Sequence, residues 1–357
     1  MHAVVKPRVL VLPLALATLL AACGSSSKPS SSGSGSSGSS VTLNGSGSTF
    51  QANFDAAVIT AFKSADSNIT INYQGVGSGQ GKTDLQSKTT DFAGTDSLPK
   101  PTDLPSYQGG KVLYFPTVAA PITVSYNVTG VTGLKLSDKT LAKIFATKIT
   151  KWDDSAIASD NPGVKLPSTS ITVVHRADGS GTTHNFTEFL NAVDPTDWTL
   201  GSGDTVDWPS STQAGTGNPG VAQDVQQTSG AIGYVDLADA TKAKLSFASI
   251  QNKSGKFVAP TLAGASAAVA GSTFNADLSY DPINASGADA YPITSPTWIM
   301  VYEKQSNKAK GDAVKAFLQY LYSTGEGMAA TNNYAALPAA AVSKATAQLS
   351  QLQIPAS

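Results

Sequence analysis

Three short segments rich in glycine, serine and threonine combine residue types and spacings that suit the binding of an oxyanion. They are GSGSTF at 45–50, GVGSGQG at 75–81 and RADGSGT at 176–182, and each stands between a strand-like and a helix-like run. The leading N–H groups of a helix have no intrahelical acceptor, and the helix dipole is positive at that end. Small residues let an anion approach these groups, and hydroxyls add donors. One such segment is ordinary turn and capping chemistry, whereas three in one chain predict an anion site.

Two catalytic interpretations of the same segments fail on spacing. The letters GSGQGKT resemble a phosphate-binding P-loop, but Val76 stands where that motif requires glycine. A hydrolase triad of Ser180, Asp178 and either His175 or His184 is conceivable. A nucleophile elbow, however, has glycine two residues before the serine, and here that residue is Asp178. We therefore expect no catalytic residues, and we expect both histidines to be structural or solvent-exposed.

The elements that must position these segments alternate between strand-like and helix-like patterns, which predicts an α/β architecture. Short runs rich in β-branched and aromatic residues predict strands at 112–115, 122–126, 171–174, 232–235 and 297–302. Apolar residues at helical spacing predict helices with a core-facing stripe. These stripes are Phe54, Ala57, Val58 and Ala61; Phe186, Phe189, Leu190 and Val193; and Val314, Phe317, Leu318 and Leu321.

Composition narrows the possible ligands. A chain of 357 residues is long enough for about two domains with a cleft between them. A net charge of −1 offers no broad basic surface for nucleic acid. One cysteine excludes an internal disulfide framework and a cysteine-based zinc site, and three histidines leave little for a multi-histidine metal centre. We therefore expect neither a metal nor a cofactor.

The single cysteine, Cys23, follows a pattern typical of an export signal. Lys6 and Arg8 precede an apolar run at 9–20, which is shorter than the roughly 20 residues that span a bilayer. The letters LAAC at 20–23 form a bacterial lipobox, so we expect residues 1–22 to be a signal peptide and Cys23 to be lipidated.

The residues after Cys23 predict a tether. Residues 24–40 are almost entirely serine and glycine, and as a flexible coil they would reach roughly 23 Å. Together with the lipidated Cys23, they predict a protein anchored to the cell membrane on its extracytoplasmic face.

From about Val41 to the C-terminal region, the chain resembles the phosphate-binding proteins of high-affinity phosphate ABC importers, the PstS-type receptors. The resemblance rests on GSGSTF, INYQGVGSGQG, DFAGTD, KITKWDD, HRADGSGTTHNFTEFL, GAIGYVD, YPITSPTWIMVY and NYAALP, in that order. It implies a two-lobed periplasmic binding protein fold of type II, with two crossing strands between the lobes. Lobe one would comprise 41–123 plus 295–357, and lobe two would comprise 124–294.

The resemblance also implies a set of ligand contacts. The residues that match the family's phosphate contacts are Thr49, Phe50, Ser78, Asp96, Arg176, Ser180, Gly181 and Thr182. Phe50 would act through its backbone N–H, Thr49 and Ser180 through both N–H and hydroxyl, and Asp178 would orient Arg176. This chain departs from many relatives at two places. Gly-Gln-Gly follows Ser78 at 79–81, and His175 precedes Arg176.

Asp96 is the unexpected member of this set, because an anion site ought to avoid a carboxylate. A phosphate ion that carries a proton offers an O–H to Asp96, whereas sulfate has none at neutral pH. A site that pairs such a group can reject an analogue lacking it by about 10⁴- to 10⁵-fold.

The sequence therefore predicts a monomeric receptor that performs no catalysis. It would bind inorganic phosphate and deliver it to a permease pair driven by a cytoplasmic ATPase. The alternatives are a secreted phosphohydrolase, which would turn over a phosphate ester, and a surface lipoprotein without a transport role, which would bind no anion.

Overall fold

The computed structural model describes residues 40–356, so the predicted signal peptide, Cys23 and residues 24–39 of the predicted tether lie outside the described residues. The strands are β1 (Val41–Gly47), β2 (Ile69–Gly75), β3 (Phe92–Thr95), β4 (Val112–Tyr126), β5 (Lys135–Leu136), β6 (Thr172–Arg176), β7 (Gln213–Gly215), β8 (Ala231–Asp236), β9 (Ser246–Phe247), β10 (Ser249–Gln251), β11 (Phe257–Val258), β12 (Thr294–Tyr302) and β13 (Ala335–Ala336). The helices are α1 (Ala52–Ala65), α2 (Ser78–Gln86), α3 (Asp138–Phe145), α4 (Ser155–Asp160), α5 (Gly181–Val193), α6 (Gly217–Gln227), α7 (Leu237–Lys242), α8 (Leu262–Ala270), α9 (Lys308–Ser323) and α10 (Ala339–Gln348). Single 3₁₀ turns lie at Leu104–Ser106, Gly325–Met328, Ala330–Asn332 and Leu349–Gln351. The predicted α/β class is confirmed.

Most of the strands join one mixed sheet. Its order is β2-β1-β3-β12-β4-β8-β6-β7, with β13 and β9 also paired to β4, while β11, β10 and β5 form a small separate sheet. Strands β1, β2 and β3 are parallel, and β12 runs antiparallel between β3 and β4. On the other side, β8 is antiparallel to β4 and parallel to β6, which is parallel to β7. We call β1, β2 and β3 with their helices the first half of the sheet, and β6, β7 and β8 with theirs the second half.

Strand β4 connects these halves, and here the sequence prediction was wrong. Two separate strands at 112–115 and 122–126 were expected, but Val112–Tyr126 is one continuous, fully buried strand. Its first part pairs with β12 up to Pro121, and its last part, from Ile122, pairs with β8. Pro116 and Pro121 resemble strand breakers in the sequence because proline donates no ladder hydrogen bond. The pairing with β12 shifts register between Pro296 and Trp298, opposite this stretch.

The carboxyl ends of the parallel strands lead directly into the segments that the sequence singled out. Gly47, Gly75 and Thr95 end β1, β2 and β3, and Arg176 and Gly215 end β6 and β7. Because parallel neighbours end at the same edge of a sheet, each half presents its turns together. This edge is where open α/β sheets bind ligands.

The predicted helical stripes at α1, α5 and α9 are confirmed as core-facing. Phe54 and Val58 of α1, Phe186 of α5 and Phe317 of α9 are buried, and Ser180 caps α5 by accepting the N–H of Thr183.

The described residues belong to one compact unit, and the predicted lobe boundaries at 123/124 and 294/295 remain a prediction. Within 40–356, no helix is both long enough and apolar enough to cross a membrane.

Candidate functional site

The three predicted segments meet at the start of helices α1, α2 and α5. Gly181 shows how closely they approach one another. A Cβ atom at this glycine would lie 2.8 Å from both the Asp96 Cβ and the Ser78 Oγ. Only a residue without a side chain lets the start of α5 come this near to the end of β3 and the start of α2.

Asp96, the residue that follows β3, is the centre of this arrangement. It is 1% exposed. Its Oδ1 accepts a hydrogen bond from the Ser48 hydroxyl, and its Oδ2 accepts one from the Thr182 hydroxyl at 2.9 Å. The Ser78 hydroxyl lies 3.5 Å from Oδ1. The first and second halves of the sheet therefore both bind this one carboxyl group.

Burial raises the pKa of Asp96 from 3.8 to about 6. The hydrogen bonds from Ser48 and Thr182 and the charge of Arg176 oppose that rise without cancelling it. At neutral pH the group is mainly a carboxylate, held among hydroxyl donors and shielded from solvent. Such a group accepts a proton-bearing partner and repels a fully deprotonated anion.

Arg176, at the end of β6, supplies the positive charge of the site. Its side chain is 1% exposed and forms a bidentate ion pair with Asp178. The Nε donates to Oδ1 at 2.9 Å, and Nη2 donates to Oδ2. Asp178 also accepts the Gly217 N–H at 2.9 Å. Burial alone would raise the pKa of Asp178, but the hydrogen bonds and charge of Arg176 hold it below its ordinary value. The pair thus keeps the guanidinium in one orientation.

Hydroxyl groups around Arg176 and Asp96 are left with protons to donate. The Thr49 Oγ accepts hydrogen bonds from both the N–H and the Nδ2 of Asn218, each at 3.1 Å. The Ser180 Oγ accepts the Thr183 N–H at 3.1 Å. Since each of these oxygens is already an acceptor, its O–H proton remains available to another group.

Several backbone N–H groups at the helix starts are also available. Within 40–356, those of Thr49, Ser78, Gly181 and Thr182 have no hydrogen-bond acceptor. Two other N–H groups that were predicted to donate to the ligand already have acceptors within the protein. The Phe50 N–H donates to the Ser48 Oγ at 3.0 Å, and the Ser180 N–H donates to the Asp204 carbonyl at 2.9 Å.

Ser48 and Asn218 belong to this site but were not predicted from the sequence. Ser48 lies inside the GSGSTF segment, so the segment itself was the signal, although nothing in it marks Ser48 as a donor to Asp96. Asn218 is on the first turn of α6, and its Nδ2 joins the Thr49 hydroxyl to the Thr182 hydroxyl, at 3.1 and 3.2 Å. The Gly-Asn-Pro-Gly letters at 217–220 are a fourth helix start of the same kind.

The hydrolase interpretation receives no support from the histidines. His175 stacks on Trp208 with ring centroids 4.8 Å apart, and its Nδ1 bonds to the Arg176 carbonyl. His184 lies beside Glu188 and Asp204. Among residues 40–356, no group of three or more histidine, cysteine or acidic side chains is arranged to hold a metal ion.

Comparison with known proteins identifies the family. Residues 30–325 match the family model described as a PBP superfamily domain. The chain is 35% identical over 305 residues to the phosphate-binding protein PstS of Xylella fastidiosa strain Temecula1, covering 84% of this chain and 82% of that protein. It is 36% identical over 313 residues to the phosphate-binding protein PstS of Pasteurella multocida, covering 86% and 89% of the two chains.

A solved structure agrees on the fold. PfluDING, a high-affinity periplasmic phosphate-binding protein solved with phosphate, superposes with a TM-score of 0.73 at 24% identity, covering 88% of this chain and 96% of that one. These matches confirm the predicted periplasmic binding protein fold. The chain belongs to the PBP superfamily and, within it, to the family of PstS phosphate-binding proteins.

Proposed function

We propose that this protein binds inorganic phosphate in the site around Asp96 and passes it to a phosphate ABC importer. The observation that carries the proposal is the buried Asp96 carboxylate, which lies among hydroxyl and N–H donors and near the ion-paired Arg176. The PstS relatives and PfluDING are named as phosphate-binding proteins, which supports the same ligand.

The donor set fits a tetrahedral oxyanion with at least one proton. Thr49 and Ser180 would donate hydroxyl protons, and the N–H groups of Ser78, Gly181 and Thr182 would donate from helix starts, where the helix dipole favours negative charge. Phe50 would contribute its N–H if that group leaves the Ser48 Oγ when the ligand arrives. Arg176, oriented by Asp178, would supply the guanidinium, and Asp96 would accept the phosphate proton.

Ligand binding would be coupled to closure of two lobes, at 41–123 plus 295–357 and at 124–294. Two features support this coupling. Strand β4 passes from one half of the sheet to the other. Donors from both halves meet at Asp96, as shown by the contacts of Ser48 and Thr182.

Delivery would follow the usual division of labour in such importers. The receptor would act as a monomer, anchored by a lipid on Cys23 after removal of residues 1–22, and tethered by the Ser/Gly-rich residues 24–40. Its partners would be the permease subunits and their cytoplasmic ATPase. The protein itself would perform no catalysis, so we expect no turnover of a phosphate ester in a phosphatase assay.

Calorimetric titration with phosphate, arsenate and sulfate tests the proposal directly. Phosphate and arsenate both carry an ionisable proton near neutral pH and should bind, whereas sulfate should not compete at concentrations where phosphate saturates the site. Sulfate binding as strong as phosphate binding would contradict the proposed role of Asp96. An absence of binding to all three anions would contradict the proposed function.

Anchoring is tested separately. The Cys23→Ser variant should appear in the soluble extracytoplasmic fraction, while the unchanged chain should remain with membranes and incorporate a labelled fatty acid. Equal membrane association of both would contradict lipidation at Cys23.

A further inference from the structure

Asp204 contacts both halves of the sheet. It lies on the loop between α5 and β7, in the second half. Its Oδ2 is 2.6 Å from the Nζ of Lys82, which is on α2 in the first half. Its Oδ1 accepts the Ser97 hydroxyl at 2.7 Å, and Ser97 directly follows Asp96. Its carbonyl accepts the N–H of Ser180, the residue that caps α5. One residue thus contacts helix α2, the residue after Asp96 and the N-cap of α5.

The loop that carries Asp204 is fixed to its own half of the sheet. Trp198 is fully buried, and its indole N–H donates to the Gly201 carbonyl at 2.7 Å. Trp208 lies against Tyr234 of β8, with ring centroids 6.0 Å apart. The Gly203 N–H donates to the Thr187 hydroxyl of α5. A loop held in this way moves with β8 and α5. Asp204 is therefore carried along with the second half of the sheet.

The contact between Lys82 and Asp204 is a largely buried ion pair. Their side chains are 14% and 22% exposed, whereas Lys111 in the surface pair with Glu303 is 61% exposed. Burial alone would raise the pKa of Asp204, but the charge and hydrogen bond of Lys82, together with the hydrogen bond from Ser97, keep it below its ordinary value. Asp204 is therefore a carboxylate at neutral pH.

This ion pair depends on the relative position of the two halves. Separating them would break the bonds of Asp204 to Lys82 and Ser97 together, and water would then hydrate both charges. A buried pair of this kind contributes little to overall stability compared with an apolar contact. Removing one partner nevertheless leaves the other buried and unpaired, which chiefly speeds dissociation.

We propose that Asp204 is a positioning residue that holds the two halves together over the bound anion, through Lys82 and Ser97, and so determines how long the anion stays bound. The proposal rests on the proposed phosphate-binding function. Because the pair forms only as the halves meet, it slows release and has little effect on the rate of association.

The first experiment measures phosphate association and release by stopped-flow for the full chain and four variants. These are Lys82→Met, Asp204→Asn, the double variant, and Lys111→Met, which breaks only the surface pair with Glu303. Each single variant at the Lys82–Asp204 pair should release phosphate at least about tenfold faster, with association changed less than about twofold. The double variant should be no faster than the faster single variant, and Lys111→Met should match the unchanged chain. Release rates within about twofold in both single variants, or effects that multiply in the double variant, would overturn the proposal.

A second measurement needs no phosphate. The Gly79 N–H on α2 donates across the site to the Gly179 carbonyl at 2.9 Å. Its hydrogen exchange in phosphate-free protein should speed up in Asp204→Asn and not in Lys111→Met, and equal exchange in both would overturn the proposal. If the unchanged chain failed to bind phosphate, the proposed function would fail, while the exchange at Gly79 would still show whether Asp204 holds the halves together.

Discussion

Replacing Asp96 with asparagine tests the chemistry of the site, because two effects of opposite sign are expected. The substitution keeps the size of the side chain and one of the two acceptor oxygens that Ser48 and Thr182 use, and the hydroxyl that faces the new NH2 group can reorient to accept from it. It removes the negative charge and adds an N–H donor. Phosphate would lose a charge-assisted hydrogen bond, worth about 1.5–3 kcal/mol. Sulfate, in contrast, would bind more tightly.

The gain for sulfate follows from Coulomb's law. Two unit charges about 3 Å apart, at an effective dielectric constant near 20, repel by about 5 kcal/mol, which is roughly 10⁴-fold in affinity. In Asp96→Asn this repulsion is absent. Titration calorimetry at pH 8 should therefore show the phosphate-to-sulfate affinity ratio falling by at least about 10³-fold. A ratio that stays within about tenfold would refute the proton-acceptor role.

The same substitution should stabilise the ligand-free protein. A rise of the pKa of Asp96 from 3.8 to about 6 means that the folded state binds this proton more tightly than the unfolded state. The free energy of unfolding therefore falls as the pH rises from about 4 to about 6, by about 3 kcal/mol. Asp96→Asn should recover about this amount at pH 8 and little at pH 4, measured by urea unfolding without phosphate.

Asp55→Asn provides a matched control. Asp55 is a buried carboxyl on α1, hydrogen-bonded to Gln51, and burial raises its pKa to about 7. This variant should also be more stable at pH 8. Its phosphate-to-sulfate ratio should not change, since Asp55 is not among the proposed ligand contacts.

Three further outcomes are expected. Arg176→Ala should weaken phosphate, arsenate and sulfate binding together by about 2–5 kcal/mol, because Asp178 is left without its partner; calorimetry that shows loss of only one anion would contradict this. Gly181→Ala should weaken phosphate binding about tenfold to a hundredfold, because its Cβ would lie 2.8 Å from the Asp96 Cβ and the start of α5 must shift. Gly327→Ala is the control and should leave phosphate binding unchanged, since its Cβ would have no atom within 4 Å. Sulfate affinity of the unchanged chain should rise as the pH falls below about 6, because protonated Asp96 becomes a donor; a sulfate affinity that is flat from pH 8 to pH 5 would argue against titration of this group.

Local patterns allowed the helix starts to be predicted from the sequence, and long-range pairing determined the rest. The segments at 45–50, 75–81 and 176–182 are recognisable because glycine and hydroxyl residues between a strand and a helix form a local motif. Asn218 could not be predicted in this way, since its partner Thr49 is 169 positions away and is reached only when the two halves of the sheet meet. Ser48 likewise meets Asp96 only through the pairing of β1 with β3.

Strand β4 shows the limit of local propensity. Two runs rich in β-branched and aromatic residues predicted two strands, and Pro116 and Pro121 between them are residues that normally interrupt a strand. Burial on both faces and pairing to β12, β8, β9 and β13 outweigh the hydrogen bonds that proline cannot donate.

The position of β12 in the sheet has a consequence for how the chain folds during synthesis. This strand lies between β3 and β4, yet Thr294–Tyr302 is synthesised almost two hundred residues after β3. Until it emerges from the ribosome, β3 and β4 have no common neighbour, and the first half of the sheet cannot close. Pairing over such sequence separations is slow because the entropy of a long loop must be lost first. The fold thus delays its own completion until nearly the whole chain has been synthesised.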